Sequence, residues 1–304
     1  MRVNWFYGHE EKDSQGMLIA ESFVLLNLPR SGSSFSRTVI QRIYMERFHR
    51  RNPLIPVSVL AGALGLQKKL LTKHGFPMNF RELMLPNLQE GNKYQRGQHG
   101  GWSQIPRKYL NREVVSIIRN PYERTLSGHR HRWWARHPIL GSDVLSAEFP
   151  QFPNLSFDDY LRFQDLGLAR RMPNGQRPDA NVGPQTVQFI WMFFKNPKQT
   201  LETLTDEYLD SDRIFDDIAD VTFLQNERLS DALAGFLKRH GATDDEVRYV
   251  LTHKRVNASK SDGAKQDTTW TPKWVSYVRE KERMIFRILA SRGFFYTPPL
   301  TSVG

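Results

Sequence analysis

A turn rich in small residues has the composition of an anion-binding loop. Residues 29–35 (PRSGSSF) follow a short apolar run at 22–28, and a helical pattern extends from 35 to about 50. Small residues let the backbone approach an anion, a helix N-terminus offers free N–H groups, and Arg30 adds a charge. The spacing is not the G-x-x-x-x-G-K-[ST] of a Walker A loop. An ordinary strand-to-helix turn can have the same composition, so phosphate binding and a structural role both remain open.

A second polar group follows residues 113–118 (EVVSII), which we predict to form a buried strand. Arg119 then lies at the carboxyl end of that strand, where open α/β sheets bind ligands. Asn120 is predicted to be the N-cap of the next helix, with Pro121 at its first position. Ser127 lies on that helix, near enough to share one phosphate with Arg119. A structural ion pair is the alternative role for Arg119.

A histidine between these two regions is a candidate general base. His99 lies in the segment QHGGW, ahead of the Arg119 strand, and two glycines follow it. A neutral imidazole can accept a hydroxyl proton near pH 7. Glycines suit a loop beside a ligand. A surface or loop-capping histidine is the alternative.

A basic cluster at residues 129–134 (HRHRWW) has two possible roles. His129 and His131 are two positions apart and do not share a helix face, and no acidic ligand accompanies them, which argues against a metal site. The cluster either binds an acidic acceptor or forms a helix with a solvated basic face and tryptophan in the core. We favour the second interpretation.

The apolar runs alternate with helical patterns, which predicts an α/β fold with a central parallel sheet and helices on both faces. A third strand is expected at 221–224, a helix at 229–240, a polar loop at 253–271 and a closing helix at 272–291. No change in composition divides the chain, so residues 1–304 are predicted to be one domain. Residues 140–184, rich in proline and loop signals, are a possible insertion that shapes an acceptor site.

Charge, cysteine content and apolar runs limit the classes of binding partner and the cellular compartment that fit the chain. The net charge of +11 favours anionic partners such as nucleic acid, acidic glycans, anionic lipid or phosphorylated nucleotides. The chain has no cysteine, which removes disulfides and thiolate chemistry. No apolar run approaches the ~18 residues of a membrane span, and the first 16 residues lack the apolar stretch of a signal peptide. We therefore expect a cytoplasmic protein.

The segments 29–35 and 119–127 together resemble motifs of the sulfotransferases that use 3′-phosphoadenosine-5′-phosphosulfate (PAPS). Residues 29–35 resemble the family's 5′-phosphosulfate loop, residues 119–127 (RNPYERTLS) resemble its 3′-phosphate motif, and the two occur in the family's order. Residues 223–229 (FLQNERL) resemble its strand ending in Glu-x-Leu. The segments 255–259 and 270–296 resemble the C-terminal part of carbohydrate-type members. The middle of the chain matches poorly.

This resemblance implies a sulfotransferase fold with a P-loop-like phosphate-binding loop, and PAPS as co-substrate. The residues that it assigns to PAPS binding are Arg30, Ser31, Gly32, Ser33, Ser34, Phe35, Arg119 and Ser127. Arg30 would also neutralise the leaving phosphate, and His99 would be the catalytic base. Some members use a glutamate instead, so Glu90 is the alternative base. No metal is required.

The chain also departs from the family pattern at several positions. Arg30 stands where many members have lysine, and Phe35 replaces a tryptophan and is expected to pack on the adenine. Asn120 replaces the common aspartate. The Gly-rich C-terminal signature of cytosolic members is absent, which leaves the contacts of the 253–265 loop open.

The acceptor cannot be identified from the sequence. A glycan hydroxyl is the first expectation, and a lipid or small natural-product hydroxyl is the alternative. Pro184 and Gln185 resemble a family segment near the acceptor, or they begin a strand. A nucleotide kinase or hydrolase would need a Walker lysine and an aspartate after 221–224, and neither is present. A nucleic-acid binder would need clustered basic residues, whereas here they are dispersed outside the region of Arg130.

Overall fold

The computed structural model describes residues 17–51, 81–83, 99–253 and 270–301. Its centre is a five-stranded sheet in the order β3-β1-β2-β4-β5. The strands are β1 (Met17–Ile19), β2 (Phe23–Leu26), β3 (Arg81–Leu83), β4 (Glu113–Ile118) and β5 (Thr222–Gln225).

The prediction of a parallel sheet is confirmed for β2, β4 and β5, which pair in parallel. It is wrong for β1, which runs antiparallel to both β2 and β3. The reason is the short connection from β1 to β2, in which the Ala20 N–H bonds the Phe23 carbonyl at 2.9 Å. A hairpin connection of this length joins only antiparallel strands.

Helices surround the sheet. In the described part of the chain they are α1 (Ser33–Arg51), α2 (Pro121–His131), α3 (Trp133–Arg136), α4 (Ser142–Glu148), α5 (Phe157–Leu166), α6 (Pro184–Phe193), α7 (Pro197–Glu202), α8 (Asp206–Asp210), α9 (Arg213–Asp217), α10 (Leu229–Arg239), α11 (Asp244–Thr252), α12 (Pro272–Lys281) and α13 (Arg283–Ser291). None of these described helices is both long and apolar enough to cross a lipid bilayer.

The two faces of the sheet bury different helices, as the sequence predicts. Alternate strand residues point to opposite faces. On one face, Leu26 and Ile118 pack in a cluster with residues of α6 and α13. On the other face, Leu25 and Ile117 pack with residues of α1 and α10. The central strands are therefore covered by helices on both faces of the sheet.

The 140–184 segment is more ordered than its proline content suggests. It contains α4 and α5, and it builds a third apolar cluster with α2 and with Trp134 and Trp270. This packing places the segment beside α2, the helix that carries the second polar motif.

Two further differences concern helices near the C-terminal half. The predicted closing helix is broken at Glu282, which ends α12 and precedes α13. Pro184 and Gln185 begin a helix rather than a strand, with Pro184 at the first helical position. The break at Glu282 and the start of α6 lie next to each other, because the Glu282 side chain is buried against the first residues of α6.

Candidate functional site

The turn between β2 and α1 has an unusual backbone. Gly32 has φ of 93°, and Arg30 has φ of 63°, a left-handed value that is uncommon for a residue with a side chain. A Cβ atom on Gly32 would lie 2.2 Å from Asn226 Nδ2, so close packing excludes any larger residue there. Such backbone strain costs about 1–3 kcal/mol, and it persists where the surroundings fix the conformation.

Hydrogen bonds from three side chains fix this turn. Arg124 Nε donates to the Pro29 carbonyl at 3.0 Å, and Asn226 Nδ2 donates to the Ser31 carbonyl at 2.7 Å. The Ser31 hydroxyl donates to the Leu28 carbonyl at 2.6 Å and is fully buried. In this structure the Ser31 hydroxyl therefore holds the loop.

The two motifs that are distant in sequence meet at the carboxyl ends of β2 and β4. Arg30 Nη2 donates to the Ser127 carbonyl at 3.2 Å and lies 3.3 Å from the Ser127 hydroxyl. Arg119 lies half-buried at the end of β4, with its guanidinium 3.6 Å from the Glu123 carboxylate. Asn120 caps α2 by accepting a 3.0 Å bond from the Tyr122 N–H, as predicted.

Three guanidinium groups give this edge a positive field. Burial, and then the charge of Arg119, lowers the pKa of Arg30. Burial lowers the pKa of Arg124 to about 10, and the charges of Arg119 and Arg30 contribute. Among the described residues, Glu123 is the only carboxylate within 4 Å of the three. An anion bound here would relieve their mutual repulsion.

The start of α1 completes the positive surface. Ser33 is buried and Ser34 is half-buried, and the first N–H groups of a helix have no partner within it. The Phe35 ring is 2% exposed and packs with Val39 and Ile40 in the core, 6.0 Å from the His253 ring. Its contact with adenine stays a prediction.

His99 lies at the same edge and is half-buried. Its Nδ1 is 2.8 Å from the Asn27 carbonyl oxygen. Because a carbonyl only accepts, Nδ1 carries the hydrogen, and Nε2 of the neutral ring keeps its lone pair. Burial lowers the pKa of His99 to about 4, with smaller effects from the charges of Arg124 and Arg37. The ring is therefore neutral at pH 7.

Arg124 is the main site residue that sequence reasoning missed. It is 6% exposed, and besides Pro29 it contacts the side-chain oxygens of Gln185 and Gln188 on α6. Its position in the 119–127 motif, one helical turn before Ser127, is a signal that could have identified it.

Glu282 is a buried carboxyl group whose charge acts on Arg124. It accepts bonds from the Thr186 N–H at 2.6 Å, the Thr186 hydroxyl at 2.7 Å and the Gln185 N–H at 3.2 Å. Burial raises the pKa of Glu282 to about 7, although these bonds and the charge of Arg124 favour the carboxylate. No sequence pattern distinguished Glu282 from a solvated helix residue.

Tyr160 brings the 140–184 segment to the same site. A Cβ atom on Gly128, next to Ser127, would lie 2.5 Å from the Tyr160 hydroxyl. Burial raises the pKa of Tyr160 to about 12, and the charges of Arg124 and Arg30 act on it in the opposite direction. The segment thus contributes a phenol beside Ser127. An acceptor-shaping role stays a prediction.

The basic cluster after Ser127 divides between core and solvent. His129 is buried, with Nε2 3.1 Å from the Leu155 carbonyl oxygen, and Trp134 is buried beside it. Arg130 and Trp133 are exposed. The favoured interpretation, a solvated basic face with tryptophan in the core, is therefore confirmed for Trp134 and wrong for Trp133. Within the described ranges, no group of three His, Asp or Glu side chains could hold a metal ion.

Some predicted residues lie outside the described ranges. These are Glu90, the alternative base, and nearly all of the 253–265 loop. Comparison with protein-family models, with curated proteins and with solved structures finds no match.

Proposed function

We propose that this protein transfers a sulfuryl group from PAPS to a hydroxyl group of an acceptor. The main support is the contact between Arg30 and Ser127, at 3.2–3.3 Å. The sequence motifs assign one residue to the 5′-phosphosulfate and the other to the 3′-phosphate. One ligand with two separated anionic groups can contact both motifs only if they share an edge of the sheet.

The residues at this edge fit a bisphosphorylated nucleotide. The turn at 29–32 and the start of α1 would hold the 5′-phosphosulfate, with Arg30 as the charged contact. Arg119 and Ser127 would hold the 3′-phosphate. Glycine adopts the positive φ at position 32 without strain, which lets the turn lead directly into the start of α1.

The chemistry assigned to the chain is charge stabilisation and proton transfer. PAPS, when bound, supplies the sulfuryl group. Arg30 offsets the negative charge that develops on the leaving phosphate. His99 accepts the hydroxyl proton of the acceptor at Nε2, the nitrogen that does not bond Asn27. A pKa near 4 keeps this nitrogen free of a proton at pH 7.

The acceptor class in this proposal comes from resemblance alone. The segments 255–259 and 270–296 favour a glycan hydroxyl, and a lipid or small natural-product hydroxyl is the alternative. A screen of acceptors with labelled PAPS would separate these classes. We also infer from the sequence that the protein acts in the cytoplasm.

Nucleotide preference tests the proposal without an acceptor. Calorimetry should show that adenosine 3′,5′-bisphosphate binds at least about tenfold more tightly than AMP, because one charge-assisted contact is worth roughly 1.5–3 kcal/mol. Equal affinity for the two nucleotides would reject the sulfotransferase assignment. A preference for a nucleoside triphosphate with Mg²⁺ would favour a nucleotide hydrolase instead.

A further inference from the structure

The backbone around Arg30 is held at two carbonyl groups by side chains from distant elements. Arg124, on α2, donates to the Pro29 carbonyl, and Asn226, after β5, donates to the Ser31 carbonyl. These carbonyls belong to the residues on either side of Arg30. The first bond fixes the peptide group that precedes Arg30, and the second fixes the one between Ser31 and Gly32. The turn is therefore held on both sides of the left-handed residue from which the Arg30 side chain leaves.

The Arg124 guanidinium is itself fixed in orientation. Its Nε, Nη1 and Nη2 atoms donate to three different oxygens, those of Pro29, Gln185 and Gln188. The side chain is 6% exposed, so it is buried beneath the loop. With all three nitrogens bonded to protein oxygens, Arg124 is arranged to act on the loop rather than to bind a ligand directly.

The Glu282 carboxylate partly compensates the buried charge of Arg124. Its charge favours the protonated guanidinium, against the effect of burial. Glu282 also caps α6, whose Gln185 and Gln188 hold Arg124. A lysine could carry the same charge, but its single nitrogen could not reproduce a planar three-point contact.

We propose that Arg124 is a positioning residue, which orients the 29–32 turn and Arg30 for anion binding through the Pro29 carbonyl. The identity of the anion rests on the proposed function. The orientation of the turn does not, since every contact involved is within the protein. The two parts can therefore be tested separately.

The first test is hydrogen exchange of the ligand-free full chain. In Arg124→Lys, amides in peptides covering 29–40 should exchange at least about fivefold faster, whereas peptides covering β4 should be unchanged. Arg47→Lys is the matched control, since Arg47 lies on α1, the helix that follows the 29–32 turn, and forms a partly buried bidentate pair with Glu246. Unchanged exchange at 29–40 in Arg124→Lys would overturn the positioning role.

The second test is a double-mutant cycle on affinity for adenosine 3′,5′-bisphosphate. Arg124→Lys should weaken binding about tenfold in the parent and have little effect once Arg30→Ala is present, because both changes remove the same contact. Additive losses would contradict an effect through Arg30 and assign Arg124 a general structural role. If Arg124→Lys does not fold, Gln188→Met removes one of its anchors and should shift both measurements in the same direction.

The outcomes also separate the two proposals. A parent protein that does not distinguish the bisphosphate from AMP would reject the proposed function, and hydrogen exchange would still decide the role of Arg124. A clear nucleotide preference with unchanged exchange would retain the function and reject the positioning role.

Discussion

The two edges of the parallel strands differ in how their charges are satisfied. At the amino edge, Glu113 accepts a 2.6 Å bond from the Thr222 hydroxyl and lies 2.8 Å from His240 Nε2, and the Ser22 hydroxyl is 2.8 Å from His240 Nδ1. Each of these polar groups has a protein partner. At the carboxyl edge, the charges of Arg30 and Arg119 oppose each other, and among the described residues Glu123, 3.6 Å from Arg119, is the only carboxylate within 4 Å of either.

We infer from this difference that one edge of the sheet contributes to stability and the other to the proposed binding of the nucleotide. The network at the amino edge joins β4 and β5 to the residue just before β2 and the residue just after α10. The carboxyl edge combines unbalanced cations with the start of α1, whose dipole adds further positive potential. We therefore expect substitutions at the carboxyl edge to change ligand binding and turnover, and those at the amino edge to change stability alone.

His99→Ala should have the largest effect on the carboxyl edge. Removing a general base typically costs ~10²–10⁴-fold in turnover. Bisphosphate affinity and the fold should persist, and parent activity should fall as pH approaches the His99 pKa of about 4. The measurement is turnover against pH with a working acceptor, beside His137→Ala as an exposed-histidine control. Near-normal turnover in folded His99→Ala would transfer the role to Glu90.

Arg119→Ala should have the next largest effect. We expect most of the preference for adenosine 3′,5′-bisphosphate over AMP to be lost, a change of roughly 1.5–3 kcal/mol, while AMP affinity changes little. Calorimetry with both nucleotides measures this. Arg162→Ala, an exposed arginine paired with Glu148, is the control. An equal loss for both nucleotides would show that Arg119 does not read the 3′-phosphate.

The contributions of His99 and Glu282 to the free energy of unfolding should depend on pH in opposite directions. Burial lowers the pKa of His99 to about 4, from 6.5 in the unfolded chain. Between these two pH values the unfolded state binds more protons than the folded state, so the free energy of unfolding rises with pH. Burial raises the pKa of Glu282 to about 7, from 4.5 in the unfolded chain. Between these two pH values the folded state binds more protons than the unfolded state, so the free energy of unfolding falls as pH rises. In the shared window the two effects offset each other.

Replacing one of the two groups should leave the pH dependence of stability that the other produces. Between pH 5 and 6.5, Glu282→Gln should leave a rise in unfolding free energy of about 2 kcal/mol, and His99→Asn should leave a fall of similar size. Urea unfolding at both pH values measures each slope. Slopes of the same sign in the two variants would contradict the opposed assignment.

Glu113→Gln should have the smallest effect, confined to stability. Weakening the bonds with Thr222 and His240 should cost about 1 kcal/mol of unfolding free energy. Bisphosphate affinity should stay the same within about twofold. A larger loss of affinity in a folded variant would show that the two edges are not independent.

Sequence patterns predicted the elements that hold the site better than its buried polar contacts. Residues 113–118 are a strand with the predicted bounds, because a continuous apolar run ends there at Arg119-Asn120-Pro121. The strands β1 and β3 have three residues each and give too short a pattern to recognise. The direction of β1 depends on a turn that has no strong sequence signal.

Arg124 and Glu282 show why the rest of the site was missed. Both are charged residues on helices, and in the sequence they look like solvated surface positions. Their burial depends on partners far away in the chain: Arg124 bonds Gln185 across 61 positions, and Glu282 bonds Thr186 across 96. Local periodicity carries no information at such separations.

These long separations also bear on how the protein folds. Ser31 and its partner Asn226 are 195 positions apart, and Arg30 and Ser127 are 97 apart. Contacts of this kind form only after large loops have closed, which slows folding. A chain emerging from the ribosome would expose the 29–32 turn long before Asn226 is synthesised. Adenosine 3′,5′-bisphosphate added during refolding should therefore act on the final step of assembly and leave the earlier steps at their own rate.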